Sequence, residues 1–288
     1  MSSFRCASAA AWAALACSRC SDPVPFAHLS GLDFYYERSG TGVPLLFISG
    51  TGGDLRMKPS VMDGPFPKHF ETLSYDQRGL GQSSKPDVAY TMADYADDAA
   101  ALIQFAGWKE ANVAGASFGG MVAQELTLRH PTIVKRLVLL CTSPGGEGGA
   151  SFPFHEIDHM SRAERARHMM PIADTRHDAA WAAANPDQYA FMLKAASADP
   201  YADEPGRAMG ARRQLEARAK HDAWNRLHEI KCPVMIAAGK YDGIATPQSQ
   251  RNMASRIPQA ALIFYEGGHM FMLQDRKAFA DMISFLSV

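Results

Sequence analysis

The 288-residue chain reads as an α/β protein: a mostly parallel, roughly eight-stranded sheet flanked by helices, with one helical insertion. Three observations predict this. Short continuously apolar runs, such as Leu45-Leu46-Phe47-Ile48 and Leu137-Val138-Leu139-Leu140, suit strands covered on both faces. Stretches with helical periodicity alternate with them. The alternation breaks once, from Gly146 to about Leu227, where no convincing strand occurs.

The elements follow in order. Leu32 to Glu37 suits a strand by its aromatic content, and Ser39-Gly40-Thr41-Gly42 reads as a turn. Leu45 to Ile48 is the next strand and runs into Ser49-Gly50-Thr51-Gly52-Gly53-Asp54. Loose helical character is expected from Ser60 to His69. Glu71 to Tyr75 is a strand ending in Asp76-Gln77-Arg78-Gly79. Thr91 is a candidate N-cap, with Asp94 three residues on, for a helix from Met92 to Ala106. Ala111 to Ala114 and Arg136 to Leu140 are short buried strands. Between them Met121, Val122, Leu126 and Leu128 mark a helix that ends near His130-Pro131. The insertion is rich in Ala, Arg, His and Met, with helical stretches near Ser161 to Met170, Asp178 to Ala184 and Gly206 to Arg218. Strand character returns at Pro233 to Ala238 and at Ala261 to Tyr265. Helices are expected from Pro247 to Arg256 and from Gln274 to Leu286.

Composition narrows the function. With 47% hydrophobic and 20% charged residues the chain can bury a sizeable core. A formal net charge of -1 supplies no basic field, so nucleic acid is not an expected partner. No run has the length of a membrane-spanning helix. Residues 1–24 are rich in Ala, Ser and Cys and read as a flexible N-terminal extension, with a signal or lipoprotein segment around Ala14-Leu15-Ala16-Cys17 as the alternative. The core is then 25–145 plus 228–288, with 146–227 as a helical lid. Cys17 and Cys20 form C-x-x-C without a second pair, while Cys141 and Cys232 sit in or beside strands as inert core residues. Five cysteines without a framework fit a reducing compartment, so a cytoplasmic location is expected.

The chemistry centres on Gly115-Ala116-Ser117-Phe118-Gly119, a G-x-S-x-G set between a strand and a helix. In this setting the chain turns sharply and thrusts the serine out, and the following helix offers free N–H groups to a developing negative charge. Ligands of open parallel sheets bind beyond the carboxyl ends of the strands. That rule selects Ser49 to Gly53, Ser117, Asp242 within Gly239-Lys240-Tyr241-Asp242, and His269 within Glu266-Gly267-Gly268-His269. A nucleophile, an acid and an imidazole thus fall in the order Ser, Asp, His, which differs from the two well-known serine protease orders.

These motifs, with Tyr75-Asp76-Gln77-Arg78-Gly79-Leu80-Gly81-Gln82-Ser83, resemble those of α/β-hydrolases carrying a helical lid, and the resemblance spans about Leu32 to Val288. It implies that Ser117 attacks an acyl carbon, that His269 takes and returns the proton, and that Asp242 orients His269. It also implies an oxyanion hole from the backbone N–H groups of Thr51 and Phe118. Ser49-Gly50 stands where many relatives carry His-Gly; the donor is a backbone group, so the hole can survive the change. Asp76 and Arg78 read as residues that fix a sheet-end loop.

The expected activity is a serine hydrolase acting on a small-to-medium apolar ester, lactone or thioester, without cofactor or metal. His155-Glu156-Ile157-Asp158-His159 has the letters of H-E-x-x-H but is read as a solvated face of the lid rather than a metal site, and Gly50 to Gly53 lacks a P-loop ending. Other reactions of the same three residues stay open, among them C–C bond hydrolysis, peracid formation and cyanohydrin cleavage, as does a ligand receptor without turnover. Gly50, Met121, Phe152, Trp181, Met270 and Phe271 are the candidate pocket residues, being Met, aromatic or glycine positions beside the site or in the insertion.

Overall fold

A computed structural model describes residues 25–288. It begins with a hairpin that the sequence reading did not resolve: β1 (Phe26–Leu29) pairs antiparallel with β2 (Leu32–Ser39). Ser30 and Gly31, at φ 52° and 79°, form the two-residue turn whose twist matches that of the flanking strands. Six further strands follow: β3 (Pro44–Ile48), β4 (Glu71–Tyr75), β5 (Ala111–Ala116), β6 (Val134–Leu140), β7 (Val234–Gly239) and β8 (Ala261–Tyr265). The eight-stranded sheet has the order β1-β2-β4-β3-β5-β6-β7-β8. β2 is antiparallel to both neighbours, and every pair from β4 to β8 is parallel.

Alternation along the strands feeds two core clusters. Leu46, Ile48, Val113, Leu137, Leu139 and Ile236 enter one cluster. Leu45, Ala114, Val138, Leu140, Met235 and Ala237 enter the other. Strands buried on both faces therefore read as unbroken apolar runs. Each Leu, Ile or Val so buried contributes about 1.5–3 kcal/mol. Helix α1 (Met92–Phe105) brings Tyr95, Leu102 and Ile103 to the first cluster and is closed by a reciprocal Thr91–Asp94 capping box. Helix α2 (Phe118–Arg129) adds Met121, Val122 and Leu126.

Four helices lie between β6 and β7: α3 (Arg162–Ala173), α4 (Ala179–Ala184), α5 (Pro186–Ser197) and α6 (Arg207–Ala219). Among the described residues this segment holds no named strand, only an isolated bridge between Gly145 and Asp222. The sequence reading missed α5; it opens with Pro186 at its first position, where the lost N–H needs no partner. The chain closes with α7 (Pro247–Arg256), α8 (Phe271–Gln274) and α9 (Lys277–Leu286).

Two expected helices are corrected. Ser60 to His69 is two 3-10 turns, Val61–Asp63 and Phe66–Lys68, because Gly64, Pro65 and Pro67 interrupt any α-helix there. The terminal helix is split between α8 and α9 at Asp275, whose side chain accepts from the Glu266 and Lys277 N–H groups. Among the described residues no helix is long and apolar enough to cross a membrane. Cys17, Cys20 and the rest of 1–24 lie outside the described residues; Cys141 is a buried free thiol and Cys232 a half-buried one.

Candidate active site

Ser117 stands between the end of β5 and the start of α2 at φ 53°, ψ −116°, a strained conformation for a residue with a side chain. Its N–H donates to the Leu140 carbonyl at 2.8 Å, and its carbonyl accepts from the Gly120 N–H at 2.9 Å and the Thr142 hydroxyl at 2.8 Å. The surrounding glycines are steric necessities. A side chain at Gly115 would overlap the Gly119 carbonyl, and one at Gly119 would overlap the Ile48 carbonyl. The close crossing of elbow, helix and β3 depends on them.

Asp242 and His269 come together because β7 and β8 keep pairing beyond their ends. The Lys240 N–H donates to the Tyr265 carbonyl at 3.0 Å and the Tyr241 N–H to the Gly267 carbonyl at 2.9 Å. Gly239 lies so near the Gly268 carbonyl that a side chain there would collide with it. His269 Nε2 is 3.0 Å from Ser117 Oγ, and His269 Nδ1 is 2.9 Å from Asp242 Oδ2. Asp242 Oδ1 accepts from the Ile244 and Ala245 N–H groups at 2.8 and 3.0 Å. With Asp242 only 2% exposed, these bonds compensate its burial and fix its orientation. An imidazole proton on Nδ1 leaves Nε2 as an acceptor for the serine hydroxyl.

The loop after β3 supports the serine. A side chain at Gly50 would lie 3.4 Å from Ser117 Cβ, so that loop backs directly onto the elbow. The Gly53 N–H bonds the Gly50 carbonyl at 3.2 Å, Gln77 Nε2 donates to the Ser49 carbonyl at 2.8 Å, and Gln214 Oε1 accepts from the Gly52 N–H at 2.8 Å. Among the described residues the N–H groups of Thr51 and Phe118 meet no acceptor.

Asp76 faces another task. Its oxygens accept from the Leu55 N–H at 2.7 Å and the Gln82 N–H at 2.9 Å, so it ties two loops together. Burial pushes this carboxyl up to about 6, against those two N–H groups. Arg78 is bidentate to Asp98, with bonds of 2.6 and 2.7 Å.

The inserted helices meet the site at the end of α3. The Ile172 carbonyl accepts from the Gly243 N–H at 2.9 Å, and the Ala173 carbonyl accepts from the His269 N–H at 2.6 Å. The Thr175 N–H donates back to the Tyr241 carbonyl at 2.9 Å. Pattern reading missed this clamp, because it consists of backbone groups whose partners lie 66 to 96 residues apart, for which no local signal exists. It also missed Arg218 and Gln214 of α6, which reach the Thr51–Gly52 loop.

The six candidate pocket residues scatter. Gly50 lies against Ser117, and the exposed Met270 follows His269. The half-buried Phe152 donates its N–H to the Ile244 carbonyl at 2.9 Å, beside the Asp242 loop. Met121 and Phe271 are fully packed in the two core clusters. Trp181 lies on α4 and stacks on His177, ring centres 4.1 Å apart. An open hollow of about 610 Å³ lies elsewhere, on α3 and the turn before it, between His159, Met160, Glu164, Arg167 and His168.

A family model described as alpha/beta hydrolase fold matches residues 43–275. The chain is 27% identical over 264 residues to a putative carbamate hydrolase, RutD, of Azorhizobium caulinodans, covering 90% of this chain and 97% of that one. It is 28% identical over 242 residues to a poly(3-hydroxyalkanoate) depolymerase of Ectopseudomonas oleovorans, covering 83% and 82%. The crystal structure of the enol-lactonase from Burkholderia xenovorans LB400 superposes with a TM-score of 0.75 at 24% identity, covering 92% of this chain and 100% of that one.

Proposed function

The chain belongs to the α/β-hydrolase fold family, and on that premise we propose that it is a serine hydrolase cleaving a small-to-medium ester, lactone or thioester through an acyl-enzyme on Ser117. The observation that carries this reading is the unbroken line Ser117 Oγ, His269, Asp242, with bonds of 3.0 and 2.9 Å.

In this reading His269 Nε2 takes the hydroxyl proton as Ser117 Oγ attacks the acyl carbon. The carbonyl oxygen gains charge and settles between the Thr51 and Phe118 N–H groups, with the start of α2 adding its dipole. His269 then gives the proton to the leaving oxygen or sulfur. Water repeats the sequence to free the acid and restore Ser117. Asp242 holds the Nδ1 proton throughout and stabilises the imidazolium.

We further propose that segment 146–227 acts as a lid. The α3 clamp supports this, since it joins the segment to both the Asp242 and the His269 loops. A cytoplasmic location is proposed on the cysteine content alone. Turnover of p-nitrophenyl acetate and butyrate by the purified chain tests the reaction. Activity lost in Ser117→Ala is expected; turnover that survives that substitution would place the chemistry on another residue.

A further inference from the structure

Arg218 is the only arginine among the buried described residues, at 5% exposure. It reaches from α6 to the loop behind Ser117. Its Nη1 donates to the Thr51 hydroxyl at 2.7 Å, its Nη2 donates to the Ser151 hydroxyl, and the guanidinium lies 4.4 Å over the Phe154 ring. No carboxylate of the described residues pairs with it. Its neighbours in the same segment are treated differently: Arg207 is paired with Asp54 and Asp199, and Arg226 with Glu125. These two more exposed arginines have acids, while the buried one has two neutral hydroxyls and an aromatic face.

A buried cation without a counter-ion is costly, and burial pulls this guanidinium down to about 10, opposed by the charge of Asp242. Hydroxyl oxygens are weaker partners than a carboxylate for a planar two-pronged donor. One helical turn earlier, Gln214 is fully buried, bonds the Gly52 N–H through Oε1, and leaves Nε2 without a partner. Two polar side chains of α6 thus converge on Thr51–Gly52, the Arg218 guanidinium on the Thr51 hydroxyl and Gln214 Oε1 on the Gly52 N–H, and Gly50 of the same loop lies against Ser117. Thr51 is exposed, so the cluster borders open space.

We infer that Arg218 is the recognition group for a carboxylate carried by the substrate, so that an ester bearing a free acid near its acyl carbon docks with that acid on Arg218 and its reacting carbonyl at Ser117. The substrate class is then a monoester or lactone of a short dicarboxylic acid. This rests on the serine-hydrolase reading only in placing the reacting carbonyl.

Binding to the Ser117→Ala protein separates the two claims, because no turnover is required. The probes are the monomethyl and dimethyl esters of succinic, glutaric and adipic acids, titrated by calorimetry. At one chain length or more the monoester should bind about tenfold tighter or better than its diester, the margin expected of a charge-assisted pair. Adding Arg218→Met should erase that preference. Arg218→Lys keeps the charge without the fork and should retain part of it; it also serves if the methionine variant does not fold. Diesters binding as well as monoesters at every length, or a preference that survives either substitution undiminished, would overturn the inference. An intact preference in a chain whose wild type turns over no ester would instead remove the hydrolase reading and leave the carboxylate site standing.

Discussion

Ser117, Asp242 and His269 are 9, 2 and 9% exposed, and each is held by at least two hydrogen bonds. On the inserted helices the picture inverts. α4 and α5 bury no residue at all, and Phe191 on α5 is 73% exposed. The strand ends are over-determined, and α4 and α5 keep every residue at least partly open to solvent. Fixed geometry is what a transition state needs, because misplacement by an ångström is costly in rate. Loosely packed helices can vary without unfolding the core. In the proposed reading the sheet ends carry the reaction and the helical segment carries the choice of substrate. α3 and α6 are the exceptions within the segment, since α3 bonds the Gly243 and His269 N–H groups and α6 buries Gln214 and Arg218 against the sheet-end loop.

Four tests probe this division, from the largest effect to the smallest. Ser117→Ala and His269→Ala should each lower kcat by about a millionfold on every ester, and the double variant should be no worse, because the two act in one step. Unequal losses across substrates would blur the division. Asp242→Asn should cost about ten-thousand-fold, through the wrong imidazole tautomer. Asp76→Asn supplies the control: a loss as large from that residue would move the acid to the Asp76 loop.

The third test concerns the joint where α6 returns to the sheet. His221 is buried, its Nε2 has no partner among the described residues, and burial pulls it down to about 4. A value below the usual 6.5 means that its contribution to stability is complete above pH 6.5 and is lost as the pH falls towards 4. The loss amounts to about 3 kcal/mol. Asp76, raised to about 6, works the other way: its contribution is complete below pH 3.8 and is lost as the pH rises through 6. Urea unfolding at pH 7 and pH 4.5 should therefore show a shallower acid loss in His221→Asn than in wild type. Equal slopes would mean that His221 is charged in the folded chain. The smallest effect belongs to the segment's edge. Phe152→Ala should change the preference between acetate and butyrate esters by about threefold to tenfold, as removal of one apolar contact does. Identical acyl-chain profiles would detach Phe152 from the site.

The same two regions differ in how far they can be read from residues alone. β3, β6, β7 and β8 are legible because strands covered on both faces are continuously apolar, and the G-x-S-x-G turn carries its own steric logic. Strand ends in an open parallel sheet converge, which makes Asp242 and His269 selectable before any contact is known. β1 escaped because four residues containing a histidine give no alternation to count. α5 escaped because tertiary placement, with no buried face, leaves no period in the sequence. Arg218 escaped for another reason. In Gln214-Leu215-Glu216-Ala217-Arg218 the pattern of charge matches a solvated helix, and only the fold reveals that its polar side is turned inward. Met121 and Phe271 show the converse: an apolar residue beside a site is chemically the same letter whether it lines a pocket or packs a core.

The central claim is that Ser117 is a nucleophile activated by His269. Reaction of the chain with an alkyl fluorophosphonate, followed by peptide mass mapping, tests it most directly. One adduct should form, on the peptide carrying Ser117, and it should be absent in Ser117→Ala and slowed by at least about a hundredfold in His269→Ala, since the hydroxyl is then without its base. Labelling of a different serine, or labelling of Ser117 at an unchanged rate in His269→Ala, would contradict the account.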